Sequence, residues 1–381
     1  MKNLKNKKIA IIGGGPGGLT LARLLQMKEA DVKVFERDYS RSVRVQGATL
    51  DLHEESGLKA LEVAGLMNEF KQHYRPGADR VRVVDKSARI LFDEHDADEK
   101  QAFRPEIDRG PLRTILLDSL KENTVIWNSH FKDMQPHDGG WELHFENGNS
   151  AYADLVIGAD GANSRIRPYI TDLKPFYAGV TIIEGSVYNA TNVIPDIHEL
   201  LKGGKLFALG NEKTLILSSK GDGSITFYAG FKCADEWVKT CHINFSEDLQ
   251  VMAWFRKEFH GWNELWNKLI EYSVLPLIPR PQYCMPVNQG WSALSNLTML
   301  GDAAHLMPPY AGEGVNMAML DALELSMHLT SDQEESLATA IASYEQQMCA
   351  RAWDIATMTL EQTEALHSSN AIDNLLSVMM G

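Results

Sequence analysis

Residues 297–316, LTMLGDAAHLMPPYAGEGVN, decide the fold. The apolar run 297–300 predicts a short buried strand that ends at Gly301-Asp302. Ala303, Ala304 and His305 predict a small-residue turn. Pro308-Pro309 then stiffens a loop in which Gly312 and Gly314 can take backbone angles closed to other residues. From Val315 the apolar spacing turns helical, through Met319, Ala322 and Leu323. Strand, acidic turn, glycine loop and helix start therefore follow one another. A helix start preceded by glycines, here Gly314, Val315 and Asn316, offers free backbone N–H groups and a positive dipole end to an anion.

A second loop of this kind stands at the N-terminus. Residues 8–12, KIAII, predict a strand, followed by Gly13-Gly14-Gly15-Pro16-Gly17-Gly18 and a helix over 19–27. The spacing Gly13-x-Gly15-x-x-Gly18 fits a dinucleotide fingerprint, with Ala22 placed for close helix–strand packing. The next strand, 32–35, ends at Glu36, where a carboxylate can accept bonds from a ribose hydroxyl. Strand, glycines, helix, strand and acid in this order predict a bound dinucleotide.

Composition sets the outer limits. A chain of 381 residues holds two or three domains with real cores. A net charge of −14 with nothing basic clustered on a large scale argues against nucleic acid or an anionic membrane as partner. No stretch approaches transmembrane length, and the apolar run after Lys8 is too short for a signal peptide. Cys233, Cys241, Cys284 and Cys349 lie far apart, which predicts reduced thiols in a cytoplasmic protein. The histidines are scattered and HExxH is absent, so no metal site is expected.

Further along, 54–72 predicts one amphipathic helix, 81–92 a hairpin around Asp85-Lys86-Ser87, and 109–120 a helix with Arg113 on the edge of its apolar face. Arg41, in a loop dense with charge, reads as solvated. Residues 154–157 predict another buried strand, ending near Asp160-Gly161. Between 178 and 290, alternating runs predict an antiparallel sheet, a helix pair broken near Gly261, and a proline-rich return over 276–286. Helices are expected over 315–330, 335–366 and 371–380. The expected organisation is an α/β unit of 1–72, 101–175 and 293–330, a sheet unit of 73–100 and 176–292, and C-terminal helices over 335–381.

Three signatures in this order resemble the class A, para-hydroxybenzoate hydroxylase-like FAD-dependent monooxygenases. They are Gly13-x-Gly15-x-x-Gly18, Asp160-Gly161…Ser164…Arg167, and Gly301-Asp302…Pro309…Gly312-x-Gly314-x-Asn316. Thr49-Leu50-Asp51-Leu52-His53, Thr124-Val125-Ile126-Trp127, the run 302–309 and Tyr344-Glu345-Gln346-Gln347-Met348 are similar to the tetracycline-inactivating branch. The resemblance implies a Rossmann-like FAD-binding domain, a second antiparallel-sheet substrate domain and a long bridging C-terminal helix. It places FAD against Gly13, Gly15, Pro16, Gly18, Glu36, Arg37, Arg44, Asp51, Arg113, Asp160, Asp302, Pro309 and the 312–316 helix start. In this picture NADPH reduces FAD, Arg165 and Arg167 meet its phosphate transiently, and O₂ yields a flavin hydroperoxide that hydroxylates the substrate. Catalysis is then borne by the flavin, without an acid–base pair from the protein, and a monomer is expected.

The sequence departs from the closer branch where substrate is chosen. Glu184 and Lys205 stand where that pocket has an amide and an arginine, and Thr226 or Tyr228 replaces a histidine. With Phe207 these residues are the expected substrate contacts. Glu184 and Lys205 are expected to pair with each other or to bind a substrate of matching polarity. Asp160 also follows the broad class and not the branch. A flavin halogenase is disfavoured, because Trp262 and Trp266 are spaced as on a helix face. A plain nicotinamide dehydrogenase leaves Gly301-Asp302 without a role. An FAD protein that sequesters a small molecule or senses redox state is the alternative from another class.

Overall fold

Strand Lys8–Ile12 buries four aliphatic or small residues in a row, which suits a strand covered on both faces. The computed structural model, which describes residues 2–43, 47–96 and 104–380, places it in the middle of a five-stranded parallel sheet. The order across that sheet is Leu297–Met299, Leu155–Gly158, Lys8–Ile12, Asp31–Phe35 and Val125–Ile126. Alternate residues serve opposite sides. Ile9, Ile11, Val34, Leu155 and Ile157 pack under helices Pro16–Met27, Arg109–Asp118 and Gly314–Thr330. Ala10, Ile12, Phe35 and Val156 pack under a three-stranded antiparallel ribbon, Phe131–His137, Gly140–Phe145 and Ser150–Ala153.

The second layer is a seven-stranded sheet in the order Ile278–Cys284, Phe176–Val187, Ile225–Lys232, Lys213–Ser219, Lys205–Gly210, Val81–Asp85 and Ile90–Asp93. It is antiparallel except where Lys205–Gly210 runs parallel to Val81–Asp85. One face is largely apolar: Ile183, Val187, Leu206, Ala208, Leu215, Leu217, Ile225, Phe227 and Ala229 meet helices Pro195–Leu201, Asp248–Glu258 and Asn267–Glu271. Each such large side chain, taken out of water, stabilises by about 1.5–3 kcal/mol. The long helix Leu337–Leu366, capped by Ser336 and Thr339, packs along Gly314–Thr330, and Ala371–Met380 closes the chain.

Four local expectations are corrected. The single helix over 54–72 is three pieces: a wide π-type turn at Glu54–Leu58 and helices Lys59–Val63 and Met67–His73. Gly65 breaks it with φ +73, in the left-handed region that favours glycine. The proline-rich return is instead strand Ile278–Cys284, and it lies at a sheet edge, where Pro279 and Pro281 leave no ladder partner waiting for an N–H. Residues 302–305 form one helical turn, Asp302–His305. Glu184 and Lys205 do not pair with each other. Three strand spacings of about 4.8 Å separate them, some 14 Å across the sheet.

Candidate flavin and substrate site

The glycine turn at the end of Lys8–Ile12 is shaped by close approach. Gly13 has φ +111, and a Cβ there would sit 2.2 Å from the Ala159 carbonyl oxygen. A Cβ on Gly18 would sit 2.2 Å from the Gly13 carbonyl oxygen, so this glycine lets helix and strand touch. Gly15 differs, because a Cβ there meets nothing within 4 Å. The open side of the turn is thus at Gly15, the N-cap of helix Pro16–Met27, whose first N–H groups receive no side-chain cap. Pro16 takes the N1 position, where an N–H is not missed. Buried Glu36 accepts the Gly14 N–H at 2.6 Å and the Asp38 N–H at 2.9 Å, which fixes its carboxylate beside the turn. Arg37 is exposed next to it.

A second uncapped helix start faces the first. Gly17 lies against Ala318, whose carbonyl oxygen is 2.8 Å from the Cβ position of Gly17, so helices Pro16–Met27 and Gly314–Thr330 cross at their first turns. No side chain caps the N-terminus at Glu313. Asn316, fully buried, clamps that terminus to the segment 51–53: it accepts the His53 N–H at 2.9 Å and donates to the Asp51 carbonyl at 2.9 Å. Gly312 has φ +72, and a Cβ there would sit 3.1 Å from the Asp51 carboxylate oxygens. Pro309 opens the single 3-10 turn before it, and Val315 is half-buried in the first helical turn.

Between the two helices lies the Gly301–Asp302 turn. Its scaffold is Asp321, a fully buried acid that accepts the Gly301 N–H at 2.8 Å, His305 Nε2 at 2.5 Å and Arg351 at 2.6 Å. Burial works against the Asp321 charge, yet His305 and Arg351 hold its pKa below the ordinary carboxylate value. Arg167 completes the cage by donating to the carbonyls of Ala303 at 2.7 Å and Asp302 at 2.8 Å. Arg167 is buried for this purpose, which corrects its expected contact with a nicotinamide phosphate. Arg165 is bound to Glu146 and the Phe131 carbonyl. The Asp302 carboxylate accepts no hydrogen bond among the described residues. Burial raises its pKa, against the pull of His305, Arg109 and Arg167.

The remaining cofactor expectations fall into two groups. Asp160 spends its oxygens on Ser164 Oγ at 2.6 Å and the Arg165 N–H at 2.7 Å, so it shapes its own loop. Arg113 donates to Asp38 at 2.9 Å and to the carbonyls of Arg41 and Val43, with its guanidinium over the Trp127 ring. It therefore ties down the segment after Glu36. Arg44 lies outside the described residues. Exposed Arg41 pairs with Asp118 at the surface, as a solvated residue does.

The five expected substrate residues all share one face of the large sheet. Cross-strand pairing sets Glu184 beside Tyr228, Tyr228 beside Ile216 and Ile216 beside Phe207. The next row on the same face runs Ser186, Thr226, Ser218 and Lys205. This face is opposite the apolar core, and Lys205 reaches from it to the Asp51 segment. Its ammonium pairs with buried Glu106 and lies 4.0 Å from Asp51. Glu184 is paired with Arg280 of the edge strand. Tyr228 accepts the Ala48 N–H at 2.9 Å, and Arg109 donates to the Ala48 carbonyl at 3.0 Å. The polar face therefore looks onto the segment 47–53 and, through it, onto the Gly312–Asn316 helix start.

Several residues in this arrangement carried little sequence signal. Asp321 is an acid inside an apolar helical stripe, and that mismatch alone could have marked it. Glu106, Arg109, Glu313 and Arg280 sit in unremarkable contexts and gain meaning from pairing across distant strands. His53 stands between Asp51 at 3.2 Å and Glu313 at 3.3 Å. Burial opposes its charge, but hydrogen bonds to Asp51 and Glu313 raise its pKa to about 9.

The donor set fits a flavin dinucleotide: two uncapped helix starts, an open glycine turn beside a fixed carboxylate, and an unsatisfied acid between them. Comparison with known proteins agrees. The family model described as FAD binding domain matches residues 6–359. The monooxygenase asqM of Emericella nidulans is 29% identical over 439 aligned residues, covering 98% of each protein. The crystal structure of a putative FAD-containing monooxygenase from Photorhabdus luminescens superposes with TM-score 0.79 at 26% identity, over 95% of this chain and 98% of that one. Tetracycline destructase Tet(51) superposes with TM-score 0.71 at 20% identity, over 98% and 95%, which shows a shared fold alone. The chain belongs to the FAD-binding family of monooxygenases.

Proposed function

We propose that this enzyme consumes NADPH and O₂ to hydroxylate a polycyclic or aromatic small molecule lying on the polar face of the seven-stranded sheet. The observation that carries the reading is the juxtaposition of that face with the Gly312–Asn316 helix start across segment 47–53. Bound FAD supplies the oxygen-activating redox chemistry. The chain's own residues do the rest. Gly15 and the two helix starts receive the anionic parts of the cofactor, and Glu36 accepts from its ribose. Asp302 accepts hydrogen bonds from cofactor hydroxyls, since a carboxylate set directly against phosphate is repelled. Tyr228, Ile216 and Phe207 offer half-buried surface on which a ring can stack, beside the buried hydroxyls of Thr226 and Ser218.

Tetracycline is one candidate among such substrates. The pairing of Glu184 with Arg280 and of Lys205 with Glu106 gives this face a different charge pattern from the amide and arginine of that branch. The test is steady-state NADPH oxidation over phenols, polyketides and tetracyclines, with mass spectrometry of the products. The expected result is stimulation by at least one compound, coupled to a product heavier by one oxygen atom. NADPH oxidation indifferent to every compound, with flavin still bound, counts against hydroxylation and supports a sequestering or sensing protein.

A further inference from the structure

We propose that this site selects a ring system without negative charge and rejects aromatic carboxylates. The proposal rests on reading the polar sheet face as the substrate wall. An anionic substrate needs a cation not already matched by a carboxylate. Among the described residues around this wall, Lys205, Arg280 and His53 have such partners. Lys205 is held by Glu106 and Asp51, Arg280 by Glu184, and His53 stands between Asp51 and Glu313. Arg109 and Lys220 are instead held by the backbone carbonyls of Ala48 and Gly47. Arg104 lies at the solvent edge, 60% exposed and 4.0 Å from Asp51.

The acids of the Lys205 and Arg280 pairs are withdrawn from solvent, although the Arg280 side chain is 44% exposed. Glu106 is fully buried and Glu184 is 4% exposed. Drawing Lys205 toward a bound carboxylate strands Glu106 in a dry setting, and an uncompensated buried charge is far more costly than the pair it came from. A neutral ring avoids that cost. Its hydroxyl or amide N–H groups can donate to spare carboxylate lone pairs, and its faces can lie on Tyr228 and Phe207. Electrostatic mismatch of this kind works as selection against the wrong ligand more than as affinity for the right one.

The test uses the FAD-loaded enzyme and matched ligands that differ in one group: 6-hydroxy-2-naphthoate against 6-hydroxy-2-naphthamide, with further acid and amide pairs built on phenols and larger polycycles. Binding is read from the visible flavin spectrum and from stimulated NADPH oxidation. The amide is expected to act at concentrations about tenfold or more below the acid in every responsive pair. Glu106→Gln frees Lys205 from its main partner and should narrow that gap by about threefold or more. Should Glu106→Gln fail to fold, Glu184→Gln makes the same test at Arg280. Preference for the acid, a gap unchanged in a folded and FAD-loaded variant, or an enzyme that consumes NADPH yet responds to no pair overturns the proposal. Loss of the wider monooxygenase reading looks different, because bound FAD or NADPH oxidation is then missing from the start.

Discussion

At the scale of single residues, the site depends on charged groups that meet only after folding. His53 is the most testable by pH. Its folded pKa of about 9 lies above the ordinary 6.5. Its contribution to stability is therefore complete below about pH 6.5 and is lost as pH rises through about 9. With the side chain 15% exposed, the loss should be on the order of 1–3 kcal/mol after allowing for screening. Urea unfolding of wild type and His53→Gln across pH 6 to 10 should converge at the alkaline end. Parallel curves over the whole range contradict the assignment. Asp321 makes the second test. Asp321→Ala leaves the Gly301 N–H, His305 and Arg351 without their shared acceptor and should cost roughly 3–5 kcal/mol, whereas Asp321→Asn keeps an acceptor for Gly301 and should cost less. Equal unfolding midpoints for the two variants refute that division of labour.

At the scale of elements, two glycines of one turn should behave in opposite ways. Gly18→Ala drives a methyl group into the Gly13 carbonyl and should destabilise the protein by about 1–3 kcal/mol or more, flavin or no flavin. Gly15→Ala meets open space at an ordinary φ of −75, so apoprotein stability should stay within about 0.5 kcal/mol while FAD binds about tenfold more weakly or worse. Thermal melts of the apoproteins and flavin titrations separate the two cases, and a Gly15→Ala protein with unchanged FAD affinity puts the cofactor elsewhere. This turn was legible in the sequence because strand, glycine spacing, helix and Glu36 are all local. The alternating runs of the large sheet were legible for the same reason, whereas Glu184, Lys205, Phe207, Thr226 and Tyr228 came from the resemblance and share a face only once the strands are paired. What escaped was set by partners far along the chain. Ion-pair choice between Glu184, Arg280, Lys205 and Glu106 depends on strand order, and no local pattern encodes that order. The break of the 54–72 helix at Gly65 and the pairing of Ile278–Cys284 as an edge strand were likewise decided by tertiary fit.

At the scale of the molecule, the two large sheets are joined through short segments. Segment 47–53 is bound on one side by Tyr228 and Lys205, and on the other by Asn316 and the Asp51–His53–Glu313 chain. This arrangement joins a cofactor-shaped turn to a polar wall. The central question is which ligand fills the space between the helix starts at Gly15 and Gly314. The most direct measurement is to purify the protein, release its cofactor by heat and identify and count it by chromatography and mass spectrometry. The expected result is FAD, non-covalently bound, at one per chain. Release of FMN, of a nicotinamide dinucleotide, or of no nucleotide from a protein that also fails to take up added FAD would contradict it.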